Sequence, residues 1–324
     1  MNRRETVVTL LALGVVPRLV DAQTRPARLA WVFEGATRNR SAAGDIFRES
    51  LRENGLVEGK DYVFDLFWAD GKYERLPALL EAVVKRNPSI ILVGTIASVR
   101  AAQQATKTIP ILMMGTNDPV GSGLVASLAR PGGNTTGLAS MFDDLAAKLV
   151  EFAREGLPKA KRLAVLINPL NPSNRPIFLS LQKAALSLGL TAEAFEAEAP
   201  ESISGAFTAA SKTRPDVVVT GFDGMLIDQR APIIALGFAH KIPVVSQSSA
   251  FGDAGALMTY GTTTSAFVGR AAVYVKKLLA GAKPEELPIE QPTTFELVIN
   301  LKTARKLGLN IPQSLLLRAD RVIE

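Results

Sequence analysis

Leu76–Thr95 reads LPALLEAVVKRNPSIILVGT, and its two halves obey different periodicities. Leu76, Leu79, Leu80, Val83 and Val84 fall at i, i+3, i+4, i+7 and i+8, one apolar stripe of an α-helix. Ile90-Ile91-Leu92-Val93 is an unbroken apolar run that stops at Gly94-Thr95. Such a run suits a strand covered on both faces, as in a parallel sheet with helices on either side. A helix feeding a doubly covered strand belongs to a right-handed βαβ unit.

The same alternation extends in both directions. Strands are expected at Leu29–Phe33, Tyr62–Phe67 and Ile109–Met114, and again at Leu163–Ile167, Thr191–Phe195, Val217–Thr220 and Pro243–Ser246. A second, longer helical stripe runs through Phe267, Val268, Ala271, Ala272, Val275, Leu278 and Leu279. Each strand of the later set lies roughly 130 positions after its counterpart, without repetition of the residues themselves. This predicts an α/β protein of two similar doubly wound parallel-sheet lobes. The length, 324 residues, suits two domains.

Arg130-Pro131-Gly132-Gly133-Asn134 is turn-rich, and the extended Thr135–Ser140 after it can cross between lobes. Ala256–Tyr260 and Pro292–Ile299 are extended pieces with no place in a four-strand count. Three crossings account for all of them. The expected division is residues 1–22 as an export segment, 23–138 with 261–292 as one lobe, and 139–260 with 293–324 as the other.

The export segment has the layout of a signal peptide. Arg3 and Arg4 precede the apolar Val7–Val16, Pro17 ends that run, and Val20-Asp21-Ala22 offers small-residue cleavage chemistry before Gln23. The apolar run is about half of what a membrane span needs. With no cysteine anywhere, disulfides, thiolate metal sites, cysteine nucleophiles and a lipid anchor on an N-terminal cysteine are all excluded. A soluble periplasmic monomer is the expectation.

Net charge is +6, but the basic residues are scattered and no basic stretch carries interleaved aromatics, so nucleic acid is not an expected partner. Catalysis finds little support. The single histidine, His240, sits at a helix end before Lys241-Ile242-Pro243, where a structural role suffices. No phosphate loop or G-x-G-x-x-G follows a strand. Asp143-Asp144 and Glu285-Glu286 read as helix starts. No catalytic residue, metal site or cofactor is expected.

Several blocks are distinctive together: Asn54-Gly55-Leu56-Val57-Glu58-Gly59, Asp118-Pro119-Val120, and Gly123 through Asn134 (GLVASLARPGGN). Gly255-Ala256-Leu257-Met258-Thr259-Tyr260-Gly261, Gly281-Ala282-Lys283-Pro284, Leu287-Pro288 and Glu290 through Ala304 (EQPTTFELVINLKTA) complete the set. In these the chain resembles the ABC-transporter substrate-binding family of type I periplasmic binding folds, the group with tryptophan- and tyrosine-binding components. The resemblance spans nearly the whole chain after the export segment. It implies capture of a small carboxylate-bearing solute, an amino acid with aromatic ones included, by hinge closure, and delivery to the membrane subunits of an ABC transporter. Two departures stand out. Ala256 replaces a usual second glycine, and the first strand ends in Phe33-Glu34-Gly35-Ala36-Thr37-Arg38 where the family has a small polar loop. A ligand-sensing effector domain of the same fold is the alternative, opposed by the export segment and the lack of a helix-turn-helix. An envelope hydrolase is opposed by the lone histidine.

Ligands of open α/β sheets bind beyond the carboxyl ends of the strands. Those ends supply Glu34–Thr37, Gly94-Thr95 with Ser98, and Gly115-Thr116-Asn117 on one lobe. The other supplies Asn168–Ser173, Gly221–Asp223 and Ser246-Gln247-Ser248. The candidate ligand-binding residues are therefore Thr37, Thr95, Ser98, Thr116, Asn117, Asn168, Asp223, Gln247 and Ser248. Thr95 and Ser98 open a helix whose free N–H groups favour an anion, and Thr95 can equally be a plain N-cap. Asp223 is the candidate partner of a ligand ammonium, or else a loop or cap acid. Asn168, Gln247 and Ser248 are neutral hydrogen-bonders. Asp118 before Pro119 reads as the N-cap of a helix.

Overall fold

The computed structural model describes residues 25–35 and 41–324. The export segment, its cleavage step near Gln23, and Thr37 lie outside the described residues.

The chain first builds β1 (Ala27–Phe33), α1 (Ser41–Glu53), β2 (Tyr62–Trp68), α2 (Leu76–Val84), β3 (Ile90–Val93), α3 (Ile96–Ala105), β4 (Ile111–Asn117) and β5 (Thr135–Ser140). These strands form one parallel sheet in the order β2-β1-β3-β4-β5. Strand periodicity divides its core. Leu29, Trp31 and Leu92 meet Phe47 and Leu51 of α1 on one face, while Ala30, Val32, Ile91 and Val93 meet Leu80, Val83 and Val99 on the other.

Next come α4 (Phe142–Gly156), β6 (Arg162–Ile167), α5 (Asn174–Ser187), β7 (Thr191–Glu196), α6 (Ile203–Lys212) and β8 (Val217–Thr220). They continue into α7 (Gly224–Asp228), α8 (Arg230–His240), β9 (Val244–Ser246), α9 (Ala250–Ala254) and β10 (Met258–Gly261). The helix α10 (Thr264–Leu279) returns to the first sheet, where Val268 and Val275 share the core of Phe47 and Leu51. The chain closes with β11 (Glu296–Asn300), α11 (Leu301–Lys306), α12 (Gln313–Leu316) and β12 (Arg321–Ile323) on the second sheet.

The second sheet is ordered β12-β11-β10-β9-β8-β6-β7. Its portion β7-β6-β8-β9-β10 repeats the arrangement of the first sheet, strand for strand. Beyond β10 it departs from the all-parallel expectation, because β11 runs antiparallel to β10. The reason is connectivity: α10 lies on the other lobe, so the chain re-enters the second sheet from the crossing side.

Three connections link the sheets: Ser140 to Phe142, Gly261 to Thr264, and the segment 291–295. The third runs beside β5, with Ala139 N–H donating to Glu290 O at 2.9 Å and Glu290 N–H to Gly137 O at 3.0 Å. At the second, Gly261 passes so near Gln247 that a Cβ would sit 2.0 Å from that carbonyl oxygen, so no side chain fits there.

Two local expectations are corrected. β4 does not stop at Met114: its register shifts between Met114 and Thr116, and Gly115 at φ +95° carries the bulge that lets pairing continue to Asn117. Asp118 caps a turn and no helix follows. Its Oδ1 accepts from Gly121 N–H at 2.8 Å, and its own φ of +37° is not that of a helix N-cap. No helix among the described residues is long and apolar enough to cross a membrane.

Candidate functional site

The carboxyl ends of β1, β3 and β4 face those of β6 and β8 across the gap between the sheets. A cavity of about 80 Å³ lies there, with Glu34, Thr95 and Asn117 on one side and Asn171, Ser173 and Phe222 on the other. Met114, Phe142 and Ile227 add apolar wall. Phe142 and Phe222 stack face to face with centroids 3.7 Å apart, and both line the cavity.

Asp223 stands directly behind this wall and is fully buried. It ends up there because the buried β8 runs out at Gly221 and Asp223 caps α7, its Oδ1 accepting from Leu226 N–H at 3.1 Å. Its Oδ2 accepts from the Tyr73 hydroxyl at 2.6 Å and from Asn171 Nδ2 at 3.1 Å, with Asn168 Nδ2 at 3.4 Å. Tyr73 belongs to the first lobe, in a 3₁₀ turn just after β2, so this short bond spans the cleft. Burial, followed by the charges of Asp223 and Glu34, pushes the Tyr73 phenol well above its ordinary range, so it stays a donor.

Glu34 closes the first lobe's side, only 6% exposed. Its Oε1 accepts from the Thr95 hydroxyl at 2.9 Å. Thr95 is the N-cap of α3 in a reciprocal box with Ser98: Ser98 N–H donates to Thr95 Oγ1 at 3.2 Å, and Thr95 N–H to Ser98 Oγ at 3.0 Å. Burial raises the Glu34 carboxyl above its ordinary value, against the lowering effect of the Ser98 and Thr95 hydroxyls.

Among the described residues the site is acidic: no lysine, arginine or histidine of them lines the cavity, and none forms an ion pair with Glu34 or Asp223. An anion held about 4 Å from either carboxylate would be opposed by on the order of 4 kcal/mol at an effective dielectric near 20. A cation gains by the same measure. The helix start at Thr95, read from sequence as a seat for an anion, has an acid of the protein itself against it.

The other candidates are placed as follows. Asn117 lines the cavity and donates to Asp143 Oδ2 at 3.1 Å. Asn168 is buried against Asp223. Thr116 is buried and donates to Gly94 O at 3.2 Å. Gln247 turns toward the first crossing, its Nε2 donating to Phe142 O at 2.7 Å, and Ser248 follows it with its N–H on Ser246 Oγ. These last three do not line this cavity. His240 is exposed at the end of α8, its ring against Phe207.

Sequence reasoning missed Tyr73, Asn171 as a partner of Asp223, and the role of Glu34. The signal for Tyr73 lies at the end of the edge strand β2, which delivers it to the cleft as the other strand ends deliver theirs.

Two like lobes with a cleft at their strand ends define a type I periplasmic binding fold. Residues 31–323 match the family of ABC transporter substrate binding proteins, and the chain belongs to it. The tyrosine-binding protein of Clostridioides difficile (strain R20291) is 24% identical over 270 residues, 81% of this chain and 75% of that one. An ABC domain from Streptococcus pneumonia solved in complex with L-Trp superposes with a TM-score of 0.84 at 22% identity, covering 92% of this chain and 100% of that one. The ligand-free, open structure of a substrate binding protein with adhesive properties from Clostridium difficile gives a TM-score of 0.61 at 20% identity, covering 92% and 99%.

Proposed function

We propose that this protein is the extracytoplasmic capture component of an ABC importer. It works as a monomer that closes its two lobes on a small solute carrying an amine and a flat apolar portion. The observation that carries this is a pair of buried carboxylates, Glu34 lining the cavity and Asp223 behind its wall, with no basic side chain among the described residues that line it. Desolvated carboxylates with neutral donors alone are costly, and a ligand cation is the partner that would offset that cost. Phe142 and Phe222 in the cavity wall suit an apolar group, since aromatic contacts add to the gain from area alone. The L-Trp and tyrosine named for its relatives belong to this class of solute.

The arrangement is that of a closed cleft. The Tyr73–Asp223 bond joins the lobes, and the match to the L-Trp complex is closer than the match to the open protein. A solute larger than the cavity enters only when the lobes part, and the three crossings are where such a hinge would turn. Closure is what the membrane subunits would distinguish.

The test is a thermal-shift screen of the protein lacking residues 1–22 against amines, amino acids, sugars and carboxylates, followed by small-angle scattering with each hit. An amine-bearing hit that raises the melting temperature and keeps the particle compact is expected. Stabilisation by sugars or simple carboxylates alone would overturn the reading.

A further inference from the structure

A second cavity, of about 440 Å³, lies at the hinge and shares no described lining residue with the cleft cavity. Its volume falls within the range of about 300–1,000 Å³ usual for small-molecule sites. Part of its wall belongs to the first lobe: Leu138 and Ala139 near the end of β5, and Ala266 and Phe267 in the first turn of α10. The rest includes Thr262 of the second crossing and residues 291–294 of the third. These parts turn against one another when the lobes rotate, so the cavity has its present shape at one hinge angle only. The described residues suit a neutral, mostly apolar molecule. Its two charged residues, Arg270 and Glu290, are paired with each other, Nε and Nη2 donating to Oε2 and Oε1. A charged guest would have to compete with that two-pronged pair, whereas a neutral ring would not. Gln291 and the threonines add neutral hydrogen-bonding groups, and Phe267 adds an aromatic ring for a flat guest to pack on.

Resting on the closed-cleft reading above, we infer that the hinge cavity is a second binding site, for a neutral aromatic molecule of one or two rings, and that filling it stabilises closure. A guest that fits the cavity as formed holds the crossings at their present angle, and it gains less from any other angle. Contact with the cleft is direct. The Phe267 ring borders the hinge cavity and also packs against Gly115, where a Cβ would lie 2.7 Å from its Cε1, and Gly115 lines the cleft cavity. In the sheet, Met114 of the cleft wall is paired in register with Leu138 of the hinge wall. Hinge guest and cleft solute then favour the same arrangement, and each raises the affinity of the other by the same factor.

The probe is indole, titrated calorimetrically into the protein lacking residues 1–22, with indole-3-acetate as its anionic counterpart. Indole is expected to bind, and to bind more tightly than the anion. Ala266→Trp fills the cavity from α10 and Thr293→Trp from the third crossing. Each is expected to weaken indole binding at least about tenfold, because a ring of the protein then takes the space. Near-ultraviolet circular dichroism of both variants checks that the fold is kept. Hydrogen exchange read by mass spectrometry tests the coupling. On adding indole to the parent, exchange is expected to slow in the hinge segments 135–142 and 288–296 and also in the cleft segments 94–98 and 168–174. Failure of indole to bind overturns the inference, as does affinity unmoved by both variants or tighter binding of indole-3-acetate. Slowing confined to the hinge segments, or faster exchange in the cleft, overturns the link to closure. The experiment uses no cleft solute, so its failure leaves the capture reading to its own screen.

Discussion

Each lobe brings one buried acid to the cleft, and the two are held differently. The second lobe surrounds Asp223 with neutral donors: a backbone N–H of α7, the Asn171 and Asn168 amides and, from across the gap, the Tyr73 hydroxyl. The first lobe gives Glu34 the Thr95 hydroxyl at 2.9 Å, and burial raises its carboxyl against the lowering effect of the Ser98 and Thr95 hydroxyls. A buried carboxylate is the better satisfied the more donors reach it. Asp223 is thus the more fully hydrogen-bonded acid of the two.

The largest expected effect concerns that acid. Asp223→Asn should weaken binding of an amine by about 2–4 kcal/mol, the scale for breaking a buried charge pair. Calorimetry decides it, and parent-like affinity would move the ammonium elsewhere.

Next is the bond between the lobes. Tyr73→Phe removes a hydrogen bond to a charged group, about 1.5–3 kcal/mol, from the closed form alone. Small-angle scattering of the ligand-free variant should show a larger radius of gyration than the parent. Equal radii would mean that this bond does not hold the cleft shut.

Glu34 should reveal itself through pH. Its carboxyl is raised above the ordinary value of 4.5 chiefly by burial, so the folded state binds its proton more tightly than the unfolded state does. The stability this brings is fully present below about pH 4.5 and is lost as pH rises through the raised folded-state value. Glu34→Gln does not titrate. Urea denaturation of the ligand-free proteins should therefore show the variant gaining stability on the parent as pH rises above about 4.5. The gain is about 1.4 kcal/mol for every tenfold by which folding tightens the hold of Glu34 on its proton. A constant stability difference between the two proteins across that range would contradict this.

Thr95→Val should have the smallest effect. It loses the N-cap of α3, about 1 kcal/mol of fold stability, and leaves amine affinity nearly unchanged. A loss of amine binding as large as that from Asp223→Asn would mean that Thr95 itself contacts the solute.

Much of the fold could be read from local pattern. Leu76–Val84 and Ile90–Val93 became α2 and β3 at the stated bounds because helix and strand periodicities are written into neighbouring residues. Gly115 misled, since a glycine that ends a strand and one that bulges it look alike until the partner strand is in place. The site was legible only in part. Strand ends point at the cleft, so the rule reaches Asn117 in the cavity wall and Asp223 behind it, but Gln247 and Ser248, reached by the same rule, are turned toward the crossing.

Pattern along the chain was enough for the two-lobed α/β architecture, the repeat of strands and the segments that reach the cleft. These follow from side-chain periodicity and chain length, which are local properties. Packing was needed to bring Glu34 to Thr95 across 61 positions and Tyr73 to Asp223 across 150. The sign of the cleft's charge depends on which buried groups come within a few ångströms of each other, and that distance is a property of the packed lobes.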